Sequence, residues 1–139
     1  MSPNLAVGNT ARTLFIDRCA WSKKLAAALD AASIPYVAHH LHFAHDTPDE
    51  VWLTAVREHG WLIVTRDQRI RYKINEHRAL VEARLHMFVL TQGGLTAAET
   101  GEIIVRAYPE IVQSALNIEP PALFSVTRSA EVRQLKLTA

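Results

Sequence analysis

Cysteine is nearly absent: Cys19 is the only one in 139 residues, which excludes an internal disulfide and a four-cysteine zinc site. A reducing, cytoplasmic setting fits that usage. No apolar run approaches the roughly 20 residues needed to cross a bilayer. The first residues, Met1 to Arg12, lack the basic start and apolar stretch of a signal peptide. Charge of one sign is not in excess either. The formal net charge is +1, so any affinity for nucleic acid must come from local patches. Repeats and low-complexity segments are also missing. What is present is ordinary globular composition, 49% hydrophobic and 21% charged, in a chain long enough to bury one core. A soluble intracellular domain spanning residues 1–139 is the expectation.

The apolar residues fall into short runs separated by helical patterns. Leu14 to Asp17 reads as a buried strand. Ser22 then opens a helix over Lys23 to Ala32, with Leu25, Ala28, Leu29 and Ala32 on one stripe. A second strand at Ile34 to Val37 contains Pro35, which limits it to a strand start or an edge. A histidine-rich loop, His39 to Asp46, leads to Thr47 as a helix cap and Pro48 at the first helical position. That helix stops at Gly60. Leu62 to Thr65 is the third strand, and a helix is expected near Asn75–Arg84 before a fourth strand at Met87 to Leu90. Thr96 and Glu99 form a capping box. Its helix reaches about Asn117, kinked or divided by Pro109. Ala122 to Val126 gives a last strand, and Val132 to Leu137 can add an edge strand. Alternation of this kind predicts an α/β sandwich with right-handed crossovers.

Carboxylates stand where buried strands end. Thr13-Leu14-Phe15-Ile16 runs into Asp17, and Trp61-Leu62-Ile63-Val64-Thr65-Arg66 runs into Asp67. Asp49 and Glu50 lie in the first turn of the intervening helix. An acid after a strand is ordinarily a turn or cap, and acids are common in a first helical turn. Acids gathered at the carboxyl edge of one sheet, however, repel one another unless a cation lies between them. Mg²⁺ or Mn²⁺ suits such oxygen ligands and can activate water against a phosphodiester.

Arg66, Arg69, Arg71 and Lys73, with Tyr72 among them, form a basic stretch beside Asp67. Such a patch can follow the backbone of a single-stranded nucleic acid with strong salt dependence, or can be a solvated helix start with local ion pairs to Glu76 and Asp67. His39, His40, His42 and His45 form a further cluster. On a strand end His40 and His42 would share one face, as two metal ligands do, and such a loop could also supply a general acid or base near the acids; a polar loop without a ligand role is the plainer reading. Cys19 reads as a small packed residue, and Trp52 and Trp61 as core packing.

Phe15-Ile16-Asp17-Arg18, Thr47-Pro48-Asp49-Glu50-Val51-Trp52-Leu53, Gly60-Trp61-Leu62-Ile63-Val64-Thr65-Arg66-Asp67 and Phe88-Val89-Leu90 resemble the PIN-like domains, and among them the VapC-type toxins. The resemblance runs from about Leu14 to Val126. It implies a three-layer α/β/α domain around a mainly parallel sheet of about five strands, with a core over about 13–127 and a tail from 128 to 139. It further implies an Mg²⁺- or Mn²⁺-dependent endoribonuclease held inactive by a cognate antitoxin. Its metal-binding and catalytic acids would be Asp17, Asp49 and Asp67, with Glu50 able to replace Asp49. Arg18, Arg66, Arg69, Arg71 and Lys73 would contact substrate RNA. Many members carry a fourth acid where this chain has Arg69, which leaves a one-metal site or a non-catalytic RNA- or protein-binding module as alternatives. Pairing of two copies through the apolar tail is open.

Two other Mg²⁺-binding α/β classes fit less well. A receiver-like domain wants paired acids after its first strand, where Arg18 and Cys19 stand. A haloacid-type phosphatase needs Asp-x-Asp, and Asp17-Arg18-Cys19 lacks it.

Overall fold

Four of the apolar runs are buried along their whole length and become neighbouring strands of one sheet. They are β1 (Leu14–Ile16), β3 (Leu62–Thr65), β4 (His86–Leu90) and β5 (Ala122–Val126). Strands covered on both faces need no polar alternation, which is why these read as continuous apolar segments. In the computed structural model, which describes residues 11–67, 78 and 81–137, β2 (Tyr36–Ala38) and β6 (Val132–Leu135) complete a six-stranded sheet of order β2-β1-β3-β4-β5-β6. All pairs are parallel except β5 with β6. The sheet therefore has five strands in the core and a sixth, the antiparallel edge strand that the sequence allowed for the tail.

Alternate strand residues face opposite layers. Leu14, Ile16, Val64, Phe88 and Phe124 meet Leu25 and Leu29 of α1 (Lys23–Ala31) and Ile104 and Ile111 of α4 (Ala97–Asn117). Phe15, Ile63, Met87 and Val89 meet Leu53 and Val56 of α3 (Asp49–His59) on the other side. Phe15 is fully buried there, stacked on Trp52 and Trp61 with ring centroids 5.6 and 5.7 Å away, so both tryptophans are packing residues. Gly101 lets α1 and α4 approach closely: a Cβ at that position would stand 3.0 Å from the Cβ of Ala28.

Local signals set most element ends. Ser22 caps α1 through its side chain, Gly60 closes α3 in the left-handed conformation (φ 70°), and Thr96 and Glu99 form the reciprocal box at the start of α4. Four readings need correction. The histidine-rich segment begins with a helical turn, α2 (His39–His42), because His39 is buried against Phe15 and Trp52. The cap of α3 is Pro48 rather than Thr47: the Pro48 carbonyl accepts from both Val51 and Trp52, and Pro48 itself is extended. Pro109 does not divide α4. It sits exposed between buried Tyr108 and Ile111, and packing of that face outweighs the lost hydrogen bond. The second strand begins after Pro35, at Tyr36. Half of the helix expected at Asn75–Arg84 lies outside the described residues; 78 and 81–83 are helical and Arg84 forms the turn.

Strand order has a functional consequence. From β1 the chain moves outward to β2, then crosses to the far side of β1 for β3. Loops therefore diverge beyond the carboxyl ends of β1 and β3, the place in an open α/β sheet where a crevice forms.

Candidate functional site

β1 and β3 pair in parallel with Ile16 opposite Val64. The Asp17 amide extends that ladder by donating to the Val64 carbonyl at 3.0 Å, so Asp17 and Thr65 leave the sheet side by side. Thr65 is the one polar residue of β3 and is buried. Its hydroxyl donates to Asp17 Oδ2 at 2.9 Å and accepts the Asp67 amide at 3.1 Å. One hydroxyl thus ties the Asp17 carboxylate to the main chain of Asp67, and both residues are half-buried at the crevice.

The turn after β1 folds back beneath them. The Asp17 carbonyl accepts from the amides of Ala20 and Trp21, and the Arg18 amide donates to Asp17 Oδ1 at 2.9 Å. Cys19 is not the small packed residue that its neighbours in sequence suggest. It is exposed, and its Sγ lies 3.4 Å from Asp17 Oδ2 and 3.2 Å from Thr65 Oγ1, accepting the Arg66 amide at 3.3 Å. Partial desolvation around Sγ, reinforced by the Asp17 charge, pushes the thiol pKa up against the opposing hydrogen bond from the Arg66 amide. Cys19 accordingly stays a protonated donor toward Asp17 at neutral pH.

The flanking cations are held in place. Arg18 Nε donates to His39 Nδ1 at 3.0 Å and its Nη2 to the Phe43 carbonyl at 3.3 Å. Arg66 Nη2 donates to the Leu95 carbonyl at 3.2 Å, just ahead of α4. A guanidinium carries five N–H donors, so both side chains keep donors beyond these bonds.

Asp49 and Glu50 begin α3, with Glu50 exposed; the Asp49 side chain lies outside the described ones. Arg69, Arg71, Lys73, Tyr72 and Glu76 also lie outside the described residues. Among the described residues no group of three His, Cys, Asp or Glu side chains stands ready to hold a metal ion. The histidines are engaged with aromatic rings instead of sharing one face: His40 lies edge-on to Trp21 at 4.5 Å, and His42 to Phe43 and Trp61 at 4.9 and 5.4 Å. Forming a helical turn, rather than extending the strand, is what separates them.

Thr65, Cys19 and the pairing of Arg18 with His39 do not stand out in the sequence as parts of this site. One signal was readable: a hydroxyl residue at the end of a wholly apolar strand, two positions before an acid. The roles of Cys19 and His39 depend on contacts with residues distant in the chain and left no local trace.

A family model described as PIN like domain matches residues 13–92, more than half of the chain and the part that carries Asp17, Asp49 and Asp67. No curated protein and no solved structure shows a significant match.

Proposed function

This chain belongs to the PIN-like domain family, and from that premise we propose that it is a metal-dependent endoribonuclease acting as the toxin of a toxin–antitoxin pair. The observation that carries the proposal is that Asp17 and Asp67 follow the neighbouring strands β1 and β3 at one edge of the sheet, with Thr65 bonded to the Asp17 carboxylate and to the Asp67 amide. The donor chemistry fits Mg²⁺ or Mn²⁺. These are hard ions that take one or two carboxylates and complete their shell with water and substrate phosphate, so a closed cage of protein ligands is not required. Asp17 and Asp67 would hold the ion, with Asp49 or Glu50 contributing from the start of α3. When bound, such an ion supplies Lewis acidity and an activated water.

The remaining work falls to the chain itself. Hydrogen bonds from Thr65, Cys19 and the Arg18 amide fix the Asp17 carboxylate in orientation. Arg18 and Arg66, anchored on either side, offer their remaining N–H groups to phosphoryl oxygens as charge develops. Arg69, Arg71 and Lys73 would track the RNA backbone. Cytoplasmic location and an antitoxin that covers the crevice complete this reading; no helix among the described residues is long and apolar enough to cross a membrane.

A mixed single-stranded RNA pool tests it. Cleavage is expected with Mg²⁺ or Mn²⁺ and is lost in EDTA. Asp17→Asn and Asp67→Asn should each lower the rate by more than the roughly 10–100-fold typical of losing an outer partner of a metal ligand, with unchanged circular dichroism. Full activity in both variants would sink the assignment of the acids. One observation favours a second reading, a non-catalytic RNA- or protein-binding module: Arg69 stands where many members of the family carry a fourth acid. Failure of the folded, metal-loaded protein to cut any RNA in the pool would select that reading.

A further inference from the structure

At the opposite edge of the sheet, where β1, β3 and β4 begin, lies a cavity of about 390 Å³ whose lining includes Arg12, Arg57, Gly60, Trp61, Arg84 and His86. Three arginines, which are permanently charged, are among its lining residues, and among the described residues no aspartate or glutamate is. Like charges gathered without a counter-charge repel one another, so the cluster is better satisfied with an anion present than without.

Its parts are built from separate elements. Arg12 precedes β1 and is clamped by Tyr108 of α4: its amide donates to the Tyr108 oxygen at 2.9 Å, and the Tyr108 hydroxyl donates to the Arg12 carbonyl at 2.7 Å. Its guanidinium donates to the Gly60 carbonyl at 2.8 Å, which orients the group and leaves other N–H donors. Arg57 comes from the last turn of α3 and is exposed. Arg84 holds a left-handed conformation (φ 54°) in the turn before β4. That conformation costs a residue with a Cβ on the order of 1 kcal/mol, and residues kept in it concentrate at ligand sites.

The occupant is identified by what the cavity offers. Trp61 stacks with Phe15 and with His59, at 5.7 and 4.3 Å between centroids, so its ring is already engaged and does not serve as a platform for a base. Recognition therefore falls to the guanidinium forks, whose planar donors match phosphate oxygens. Three positive charges suit a group bearing more than one negative charge, or a chain of them, better than a single carboxylate. We propose that this cavity binds phosphate, either as the free ion or as a phosphodiester of a nucleic-acid strand passing the amino edge of the sheet. The inference is independent of whether the acids at the carboxyl edge cleave RNA.

His86 reports on the site. Its Nε2 lies 2.7 Å from the Ile118 carbonyl, and burial together with the nearby Arg12 charge keeps its pKa below the ordinary histidine value. A bound anion favours the imidazolium and raises that pKa. Inorganic phosphate is titrated into the full chain at constant ionic strength set with sodium chloride, while the His86 ring protons are followed by NMR. A saturable shift with Kd on the order of 1 mM or tighter is expected, together with a rise in the His86 pKa. The Arg57→Gln/Arg84→Gln double variant, changed only at exposed positions, should bind at least about tenfold more weakly, as expected when charge-assisted hydrogen bonds are lost. A short single-stranded RNA is then added. Displacement of phosphate identifies the diester backbone as the source, and no displacement identifies the free ion. Absence of a saturable response overturns the proposal. So does a response that chloride reproduces, or one that the folded double variant retains in full.

Discussion

At Thr65 a single hydroxyl serves two acids, donating to Asp17 Oδ2 and accepting from the Asp67 amide. Thr65→Val keeps β-branching and nearly the same volume but leaves a half-buried carboxylate oxygen and a backbone N–H without that partner. A loss of about 1–3 kcal/mol is expected, read as a lower urea midpoint at unchanged slope. Thr65→Ser, which keeps the hydroxyl, should lose less; a Thr65→Val protein as stable as the parent would show that the hydroxyl contributes nothing. His86 carries a pH signature. Its folded-state pKa lies below the ordinary value, mainly through burial, so the unfolded chain takes up the proton first as pH falls. Stability should therefore decline on acidification through the ordinary histidine range, until the folded-state pKa is reached. His86→Phe should give a shallower profile over that window, and parallel stability profiles for the two proteins would contradict the assignment.

Among the elements, α4 shows how local chemistry and packing divide the work. Its start is specified by the Thr96–Glu99 box, in which the Thr96 amide donates to Glu99 Oε1 at 2.9 Å and the Glu99 amide to Thr96 Oγ1 at 3.1 Å. Thr96→Ala should cost about 1 kcal/mol, the usual value for a lost cap, measurable by thermal or urea unfolding. The Glu99–Arg128 ion pair is exposed on both sides, and such pairs add little. The rest of α4 ignores local preference: Pro109 is tolerated because Ile104, Ala107, Tyr108 and Ile111 are buried against β-sheet and α1. The segment His39–His42 makes the same point. Nothing in three histidines and an exposed leucine demands a helical turn, and the burial of His39 beside Phe15 and Trp52 imposes one.

On the scale of the molecule, β6 is an edge that protects another edge. It pairs antiparallel with β5 from Val126↔Val132 to Leu123↔Leu135, and Leu135 packs partly against the core. Ending the chain after Arg128 would uncover the backbone of a strand that is buried along its full length, a template for pairing with another chain. Truncated protein should unfold at lower urea and elute as aggregates or larger species in size-exclusion chromatography. A stable truncation product of unchanged apparent size would show that the tail is dispensable. The two charged regions also belong to this scale: Asp17 and Asp67, flanked by Arg18 and Arg66, lie where β1 and β3 end, and Arg12, Arg57 and Arg84 lie around the strand starts, so parallel strand direction holds the two sites at opposite edges of the sheet.

Sequence by itself determined where β1, β3, β4 and β5 lie, since strands buried on both faces must be continuous apolar runs. It also determined the ends of α1, α3 and α4 through Ser22, Gly60 and the Thr96 box, because capping is satisfied within a few residues. The acids Asp17 and Asp67 could be placed at one edge on that basis alone. Only the tertiary structure decided that β1 and β3 are neighbours, that Thr65 joins their acids, that Cys19 turns its thiol toward Asp17, and that Arg12, Arg57 and Arg84 meet around one cavity. Each of these depends on which apolar runs pair and on which face each helix lies. That choice is made by the whole core, so no stretch of the chain records it locally.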